Sequence, residues 1–340
     1  MKQLANVLYI LTEGSYLHCE NGTVCVKVGG KDKVRIPAHT IESIICLCNT
    51  TVSTPFIGFC GERGIALSFH SDTGRFYGRI YGPVNGNVLL RSEQYRWIGT
   101  PQATEVVRHI VQAKLYNSRN VLLKAARGTE EASAAQLRGA AETIAAQGAQ
   151  LTGAETIDSI RGIEGAAATA YFRVFDAMCK VDDPEMRFEK RTRRPPENRV
   201  NALLSFVYML LKNEMQSALE SVGIDPAAGY LHTLRPGRPS MALDLMEELR
   251  APLCDRFVIA LLNRGQIKCA GFEHTGNEFR LSDQARRLVI SEWQQRKKET
   301  ITHPFLKEKI PIGLIPYCQA MLLARHLRGD IAQYPPYLWR

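Results

Sequence analysis

Up to about residue 95, short apolar runs rich in β-branched and aromatic residues alternate with turn-forming pairs such as Asn21-Gly22 and Gly29-Gly30. Such runs, bounded by glycine and asparagine, are typical of strands joined by tight turns. The strand-like runs are 7–12, 24–28, 41–47 and 65–70. A short helix is predicted at 53–63, and the whole pattern indicates a β-rich module.

After Pro101 the apolar residues recur with the period of amphipathic helices. The predicted helices are 105–127, 131–150, 157–180, 198–222, 240–250, 252–263, 282–300 and 316–328. Gly99 and Pro101 mark the change of pattern, which places a linker at 97–101. We therefore expect an α+β protein with a β-rich domain over 1–96 and an all-α domain over 102–340.

Composition supports a folded protein of two domains. The chain has 340 residues, of which 45% are hydrophobic and 23% charged, close to ordinary soluble averages. No apolar run approaches the roughly 20 residues of a membrane span, and the N-terminal residues lack the apolar region of a signal peptide. A cytoplasmic protein that does not bind a membrane is expected.

The nine cysteines do not form a Cys-x-x-Cys pair. Their scattered spacing argues against a structural zinc site and against a disulfide framework. We expect reduced and mostly buried thiols. A redox switch formed by Cys46 and Cys48 is the less favoured alternative.

Positive charge is concentrated in three stretches. Lysines and arginines give the chain a formal charge of +9, which is a modest indication of a polyanionic partner. Residues 187–199 carry six basic side chains, and two prolines there exclude a helix interior, so an exposed cationic loop is expected. Residues 229–239 form a second Arg-, Pro- and Gly-rich segment. The third stretch, 286–298, is compatible with a solvated helix face.

Acidic residues and a histidine lie together around the predicted helix that begins near Ser240. Ser240 is the expected N-cap of that helix. Asp244 and Glu247 are three residues apart and therefore share a helix face, while His232 lies a few residues upstream. Each residue taken singly is more often structural than functional. Their grouping favours a metal site, and carboxylates with an imidazole suit Mg²⁺ or Mn²⁺ better than structural zinc.

Glu164 is a further candidate, because almost all of its neighbours in residues 161–168 are small. Glycines at Gly162 and Gly165 each cost a predicted helix about 1 kcal/mol relative to alanine. A requirement for close helix packing explains them as well as a functional site does. Arg235 and Arg238 lie between His232 and Ser240, and they would bind phosphates by bidentate hydrogen bonds.

The chain resembles the CRISPR-associated endonuclease and integrase family, which inserts new spacers into CRISPR arrays. The segments that carry the resemblance span nearly the whole chain. They are 36–44, 64–69, Arg79, 82–83, 86–90, 163–165, 193–198, 201–206, 229–232, 235–240, 243–248, 319–320, 323–325 and 328–330. The most specific of them is Gly229-Tyr230-Leu231-His232 with the Arg-Pro-Gly-Arg-Pro-Ser run that follows it.

This resemblance implies that Glu164, His232 and Glu247 are the catalytic metal ligands, with Asp244 as an acidic companion. Some family members have aspartate where Glu247 stands. The resemblance also implies a DNA-cutting and DNA-joining enzyme with an N-terminal β-sandwich-like domain and a helical catalytic domain. It further implies a homodimer joined through the β-rich halves and a complex with a small second adaptation protein. The expected contacts to double-stranded DNA are made by Arg193, Arg194, Arg235 and Arg238.

Two other hypotheses remain open from the residues. One is a metal-free DNA-binding scaffold whose acidic cluster is structural. The other is a metal nuclease that acts on RNA, because no aromatic stacking motif chooses between the nucleic acids. Metal-dependent strand transfer separates the first of these from an integrase, whereas salt-dependent binding does not.

Overall fold

The computed structural model describes residues 6–71, 76–80, 82, 88–193 and 195–339. The chain divides into two compact units, Met1–Asn85 and Gly86–Arg340. The described residues of the first unit form eight strands and one short α-helix, and those of the second form the longer helices and two short hairpins. The predicted α+β character is therefore confirmed.

The first unit is built from two four-stranded sheets. Its strands are β1 (Asn6–Ile10), β2 (Ser15–Glu20), β3 (Thr23–Val28), β4 (Lys31–Pro37), β5 (Ile41–Cys46), β6 (Thr50–Val52), β7 (Ala66–His70) and β8 (Phe76–Ile80). One sheet has the order β1-β5-β7-β8 and the other the order β4-β3-β2-β6. Ile44 and Leu67 of the first sheet belong to the same buried cluster as Leu17 and Val24 of the second. Both sheets thus supply one hydrophobic core.

The sequence pattern located four of these strands and missed others. The four strand-like runs correspond to β1, β3, β5 and β7. The predicted short helix is also present as α1 (Thr54–Glu62). It begins after Ser53, whose side chain accepts a hydrogen bond from the Phe56 N–H at 3.3 Å. Strands β2 and β4 escaped the prediction because polar residues interrupt both runs.

Nine helices occur in the described part of the second unit. They are α2 (Val88–Trp97), α3 (Pro101–Ala126), α4 (Glu131–Gln150), α5 (Ile157–Arg173), α6 (Arg199–Ser221), α7 (Ser240–Leu249), α8 (Arg256–Asn263), α9 (Asp283–Lys297) and α10 (Ile315–Leu327). Helix α5 is shorter than predicted and ends where Phe172, in its last turn, packs with Phe175 and Phe188 in an aromatic cluster.

The prediction of an all-α C-terminal domain is wrong in detail. Two antiparallel hairpins interrupt the helices. They are formed by β9 (Phe272–Thr275) with β10 (Glu278–Leu281), and by β11 (Thr300–Thr302) with β12 (Lys309–Pro311). Their strands have only three or four residues, which is too short for a clear alternating pattern.

The structure divides the chain earlier than the predicted linker at 97–101. Residues 88–97 form helix α2, and its fully buried Gln94 donates hydrogen bonds to the carbonyls of Asp225 and Ala228 at 2.8 and 2.9 Å. Residues 98–100 form the turn between α2 and α3. Thr100 caps α3 and Pro101 is its first residue. The residues interpreted as a domain boundary therefore mark the start of a helix.

The nine cysteines are all free thiols, as expected. Cys46 is buried, and burial raises its pKa to about 12, which opposes formation of the reactive thiolate that a redox switch requires. Among the helices of the described ranges, none combines the length and the apolar composition of a membrane span.

Candidate active site

Asp244 organises the loop that carries His232. Its buried carboxylate accepts hydrogen bonds from the main-chain N–H groups of Tyr230 at 2.6 Å, Leu231 at 2.8 Å and His232 at 2.9 Å. The same carboxylate lies 2.7 Å from Nδ1 of the His232 ring. Since a carboxylate accepts, Nδ1 carries a proton, and Nε2 is the ring nitrogen that faces away from Asp244. Asp244 therefore fixes both the position and the tautomer of His232.

Gly229 allows the loop to approach helix α7 closely. A Cβ atom at this position would lie 2.6 Å from the carbonyl carbon of Ser240 and 2.8 Å from Oδ2 of Asp244. Both distances are shorter than nonbonded contacts permit. Glycine is required here by space, and the Asp244 cluster depends on that close approach.

The start of helix α7 differs from the prediction. Ser240 is the first helical residue and not the N-cap, a position that Pro239 occupies without a side-chain hydrogen bond. The Ser240 hydroxyl instead donates to the carbonyl of Thr233 at 3.2 Å. The Met241 N–H is satisfied by the carbonyl of Pro226 at 2.9 Å. A neighbouring loop thus replaces the side-chain cap that the serine suggested.

Glu164 and Glu247 converge on one lysine. Lys114 of α3 forms an ion pair with Glu164 of α5, and its Nζ atom lies 2.6 Å from Oε2 of Glu247 on α7. The Nε2 atom of His232 lies 3.8 Å from Oε1 of Glu247. The structure therefore brings Glu164 and Glu247 to one ammonium group and places His232 beside Glu247. Arg161, also on α5, donates to the carbonyl of Leu231 at 2.8 Å and ties this helix to the histidine loop.

Glu247 is ionised although its side chain is only 4% exposed. Burial opposes ionisation, but Arg250, Lys114 and His232 outweigh it and lower the pKa of Glu247 to about 2. The Arg250 guanidinium lies 3.0 Å from Oε1 of Glu247. The contact of Oε2 with Lys114 is an ion pair and not an aligned hydrogen bond, because Oε2 lacks a hydrogen-bond partner in the described part of the chain.

A π-helical turn, Arg250–Asp255, follows directly after α7 and leads into α8. It accommodates Pro252, which lacks the N–H that an α-helix would use there. The turn buries Asp255, whose carboxylate accepts a hydrogen bond from the Tyr208 hydroxyl at 2.5 Å. Burial raises the pKa of Asp255 to about 6. A small cavity of about 30 Å³ lies between this network, Lys114 and Glu247.

Glu248 points away from the site, although it is adjacent to Glu247 in sequence. Its buried carboxylate accepts hydrogen bonds from Gln319 at 2.9 Å, the Tyr334 hydroxyl at 2.6 Å and the Tyr337 N–H at 2.9 Å. Helix α7 therefore presents Glu247 to the site and Glu248 to residues 334–337.

The arginines expected to bind DNA differ in their surroundings. Arg193 and Arg235 are exposed and Arg238 is half-buried, while Arg194 lies outside the described residues. Arg193 also lines the cavity beside Lys114 and Glu247. The segment 187–199 is less free than predicted, as Arg191 shows. Its guanidinium donates to Asn201 at 2.8 Å and to Ser205 at 3.2 Å, and burial lowers its pKa to about 10.

Two residues of the site, Lys114 and Arg250, were not predicted from the sequence. Arg250 follows Glu247 by three residues, and that spacing places both on one helix face, so it could have been found. Lys114 is 50 residues from Glu164 along the chain, in a helix with an ordinary amphipathic pattern. No local signal distinguishes it.

Comparison with known proteins gives a consistent result. The family described as CRISPR associated protein Cas1 matches residues 8–295. CRISPR-associated endonuclease Cas1 1 of Chlorobaculum tepidum is 46% identical over 344 residues, which covers 100% of both chains. A solved structure of TM1797, a CAS1 protein from Thermotoga maritima, is 25% identical with a TM-score of 0.83 and covers 95% of this chain and 97% of that one.

A second solved structure, described as a Cas6-RT-Cas1–Cas2 complex, shares the fold. Its TM-score is 0.84 at 24% identity, and the match covers 100% of this chain and 36% of that chain. The agreement in fold thus extends over the full length of the present chain.

Proposed function

The chain belongs to the Cas1 family of CRISPR-associated endonucleases, and from this premise we propose that Glu164, His232 and Glu247 form its divalent-metal centre. The enzyme cuts DNA and joins it during the insertion of new spacers into a CRISPR array. The observation that carries the proposal is the convergence of both carboxylates on the Lys114 ammonium, with Nε2 of His232 facing Glu247.

The donor set fits a divalent cation. Two carboxylates and one imidazole offer oxygen-rich coordination, which favours Mg²⁺ or Mn²⁺ over structural zinc. The buried Oε2 of Glu247 lies against the Lys114 ammonium, at 2.6 Å, so a divalent cation would take the place of that charge. Asp244 acts as an orienting partner and not as a ligand, because main-chain N–H groups and the His232 ring already contact both of its oxygens.

The chain's own groups account for binding and positioning. A bound divalent cation supplies Lewis-acid activation of the scissile phosphodiester. Asp244 accepts the hydrogen bond of Nδ1 of His232 and so directs Nε2 toward Glu247, while Arg250 helps to hold Glu247 ionised. Cleavage uses water as nucleophile and joining uses a DNA 3′-hydroxyl. Both break a phosphorus–oxygen bond at the same kind of phosphate, so one centre serves both reactions.

We further propose that double-stranded DNA is bound by Arg193, Arg194, Arg235 and Arg238. Exposure of Arg193 and Arg235 supports this assignment. Replacing a phosphate-binding arginine by alanine reduces the salt dependence of binding by about one unit of log K per log salt. Arg138, exposed on α4 and paired with Glu131, is a matched control whose replacement leaves the slope unchanged. An unchanged slope in Arg235→Ala would contradict its assignment.

The remaining parts of the proposal concern assembly. We propose that the two-sheet unit is a β-sandwich through which a homodimer forms. The chain would assemble with a small second adaptation protein in the cytoplasm, and the fold shared with a Cas1–Cas2 complex is consistent with this. Size-exclusion chromatography with light scattering, with and without that partner, measures both associations.

One observation favours a second candidate, a metal-free DNA-binding scaffold. Lys114 and Arg250 together already balance the two carboxylates, so the acidic cluster is stable without a metal. The decisive assay measures cleavage and strand transfer of labelled duplex DNA with Mn²⁺ and with a chelator. We expect Glu164→Gln and His232→Ala to lose activity at least about a hundred-fold, because even outer-shell changes cost 10- to 100-fold.

Glu142→Gln, an exposed change on α4, is the matched control and should retain full activity. Thermal unfolding of each variant verifies that the fold persists. Activity that survives chelation, or that is undiminished in Glu164→Gln and His232→Ala, would favour the scaffold.

A further inference from the structure

The hairpin of β2 and β3 in the first unit presents three unlike metal-binding side chains on one face. His18 of β2 and Cys25 of β3 are directly opposite each other in the register of the antiparallel pair. Glu20 lies two residues beyond His18 and therefore on the same side of the sheet. Leu17 and Val24, on the other side, enter the hydrophobic core. The three polar side chains thus lie on the outer face of this sheet.

These side chains are close enough to share an ion. One donor atom from each of His18, Glu20 and Cys25 lies within 4.8 Å of the others. Donors around a tetrahedral zinc ion lie roughly 3.5 Å apart, as zinc–nitrogen and zinc–sulfur distances near 2.0 and 2.3 Å imply. Small side-chain rotations close the difference, with no change of the backbone register.

The fold makes little use of these donors. Nδ1 of the His18 ring is buried and has no hydrogen-bond partner in the described part of the chain. Cys25 is fully buried, and its thiol makes a long contact of 3.8 Å with the carbonyl of Thr23. Buried polar atoms normally find partners. An imidazole ring that has an unpartnered buried nitrogen and lies beside a thiol and a carboxylate therefore points to a ligand.

Arg35 of β4 orients the carboxylate. Its guanidinium lies 2.8 Å from Oε2 of Glu20 and 2.6 Å from Oδ2 of Asp32. A carboxylate can hold a metal through one oxygen while the other keeps such a hydrogen bond, and outer partners of this kind orient ligands. The positive charge of Arg35 opposes a cation, but Glu20 and Asp32 compensate that charge.

We propose that His18, Glu20 and Cys25 form a second metal site, selective for Zn²⁺ and separate from the proposed catalytic centre. Imidazole, thiolate and carboxylate together match the borderline softness of zinc, whereas Mg²⁺ and Mn²⁺ prefer oxygen. On binding, the Cys25 thiol loses its proton to solvent and the sulfur donates an electron pair to the ion. Three protein ligands leave a fourth position for water. The ion joins β2 to β3 across the outer face of the sheet.

Cobalt substitution tests the site in the full-length protein. Thiolate coordination of Co²⁺ gives a sulfur-to-metal charge-transfer band, and the proposed catalytic ligands contain no sulfur. We expect the metal-stripped protein to develop the band with one equivalent of Co²⁺ and to lose it when Zn²⁺ is added. Cys25→Ser and His18→Gln should abolish the band. Cys19→Ser, which removes a thiol from the opposite face of β2, should retain it.

The outcome is independent of the proposed function. The band should persist in His232→Ala, and Cys25→Ser should keep its Mn²⁺-dependent cleavage of DNA. Zn²⁺ should raise the melting temperature of the native protein and of Cys19→Ser, but not that of His18→Gln. Absence of the band from the native protein, or its persistence in both Cys25→Ser and His18→Gln, would overturn the site. If Cys25→Ser fails to fold, His18→Gln decides.

Discussion

Replacement of Asp244 by asparagine removes one negative charge and one acceptor oxygen from the centre of the site, with almost no change in shape. In the native protein Oδ2 accepts from the N–H groups of Tyr230 and Leu231, and Oδ1 accepts from the N–H of His232 and lies against its Nδ1. Asparagine keeps only one of these oxygens. Its NH₂ group then faces two N–H donors.

The magnitude follows from that count. Two hydrogen bonds to a charged acceptor are removed, and each contributes about 1.5–3 kcal/mol, so the free energy of unfolding should fall by roughly 3–6 kcal/mol. The tautomer of His232 is no longer fixed, because Nδ1 no longer has its carboxylate partner. Loss of such an orienting partner weakens metal binding about 10- to 100-fold.

Two measurements separate stability from positioning. Chemical unfolding gives the free energy of unfolding. Titration with Mn²⁺, followed by electron paramagnetic resonance, gives the affinity for the metal. The matched control is Glu248→Gln, because Glu248 is also a buried acid on α7 but contacts Gln319, Tyr334 and Tyr337. We expect the control to lose stability and to keep the native affinity for Mn²⁺. Native affinity in Asp244→Asn, or equal weakening in both variants, would refute the positioning role.

Three further changes have expected outcomes. Lys114→Met removes the ion-pair partner of Glu164 and leaves Glu247 with Arg250. It should destabilise the metal-free protein by about 3–5 kcal/mol, with Mn²⁺ restoring much of the melting temperature. Gly229→Ala forces the new Cβ to within 2.6 Å of Ser240. It should lower the free energy of unfolding by about 1–3 kcal/mol or more and also reduce activity. Asp255→Asn removes a buried acid whose pKa is raised from 3.8 to about 6, which is about 3 kcal/mol at 1.36 kcal/mol per pH unit.

The sign of the Asp255 effect is fixed by the direction of its pKa. The protonated carboxyl favours the fold below the unfolded value of 3.8, and this contribution is lost as the pH rises through about 6. The difference in unfolding free energy between the native protein and Asp255→Asn should therefore decrease as the pH is raised from 4 to 7. A flat difference contradicts the assigned burial.

Controls for the other two changes lie on the same unit. Gly139→Ala in α4 meets no atom within 4 Å and should stabilise the helix by up to about 1 kcal/mol, in contrast to Gly229→Ala. Lys124→Met, on α3 and away from the two carboxylates, should leave the effect of Mn²⁺ on the melting temperature unchanged. If Lys114→Met behaves in the same way, the ion pairs of Lys114 do not stabilise the metal-free protein.

The helices were predictable because their apolar periodicity is local. Helix α6, predicted at 198–222, is observed at Arg199–Ser221. The site was predictable only in part. The spacing of Asp244 and Glu247 indicated a shared face, but the four contacts of the Asp244 carboxylate depend on where the His232 loop folds back.

Tertiary contacts account for the errors. Ser240 was taken as a cap from its sequence position, whereas the carbonyl of Pro226 satisfies the first turn of α7. Thr100 and Pro101 begin a helix and were taken for part of a linker. Arg191 was counted with an exposed basic loop but is half-buried and hydrogen-bonded to α6. For Ser240 and Arg191 the contacting residue lies elsewhere in the chain. For Thr100 and Pro101 the same residue types occur both in linkers and at helix starts.

The ion pairs of Lys114 bear on the order of folding and metal loading. Proteins whose ligand side chains repel one another need the ion in order to fold, and part of the free energy of metal binding is then used to order the chain. Here the ammonium group holds Glu164 and Glu247 together in advance. If Glu164 and Glu247 are metal ligands as proposed, the chain can complete its fold before the metal binds, and an incoming cation must compete with Lys114 for both carboxylates.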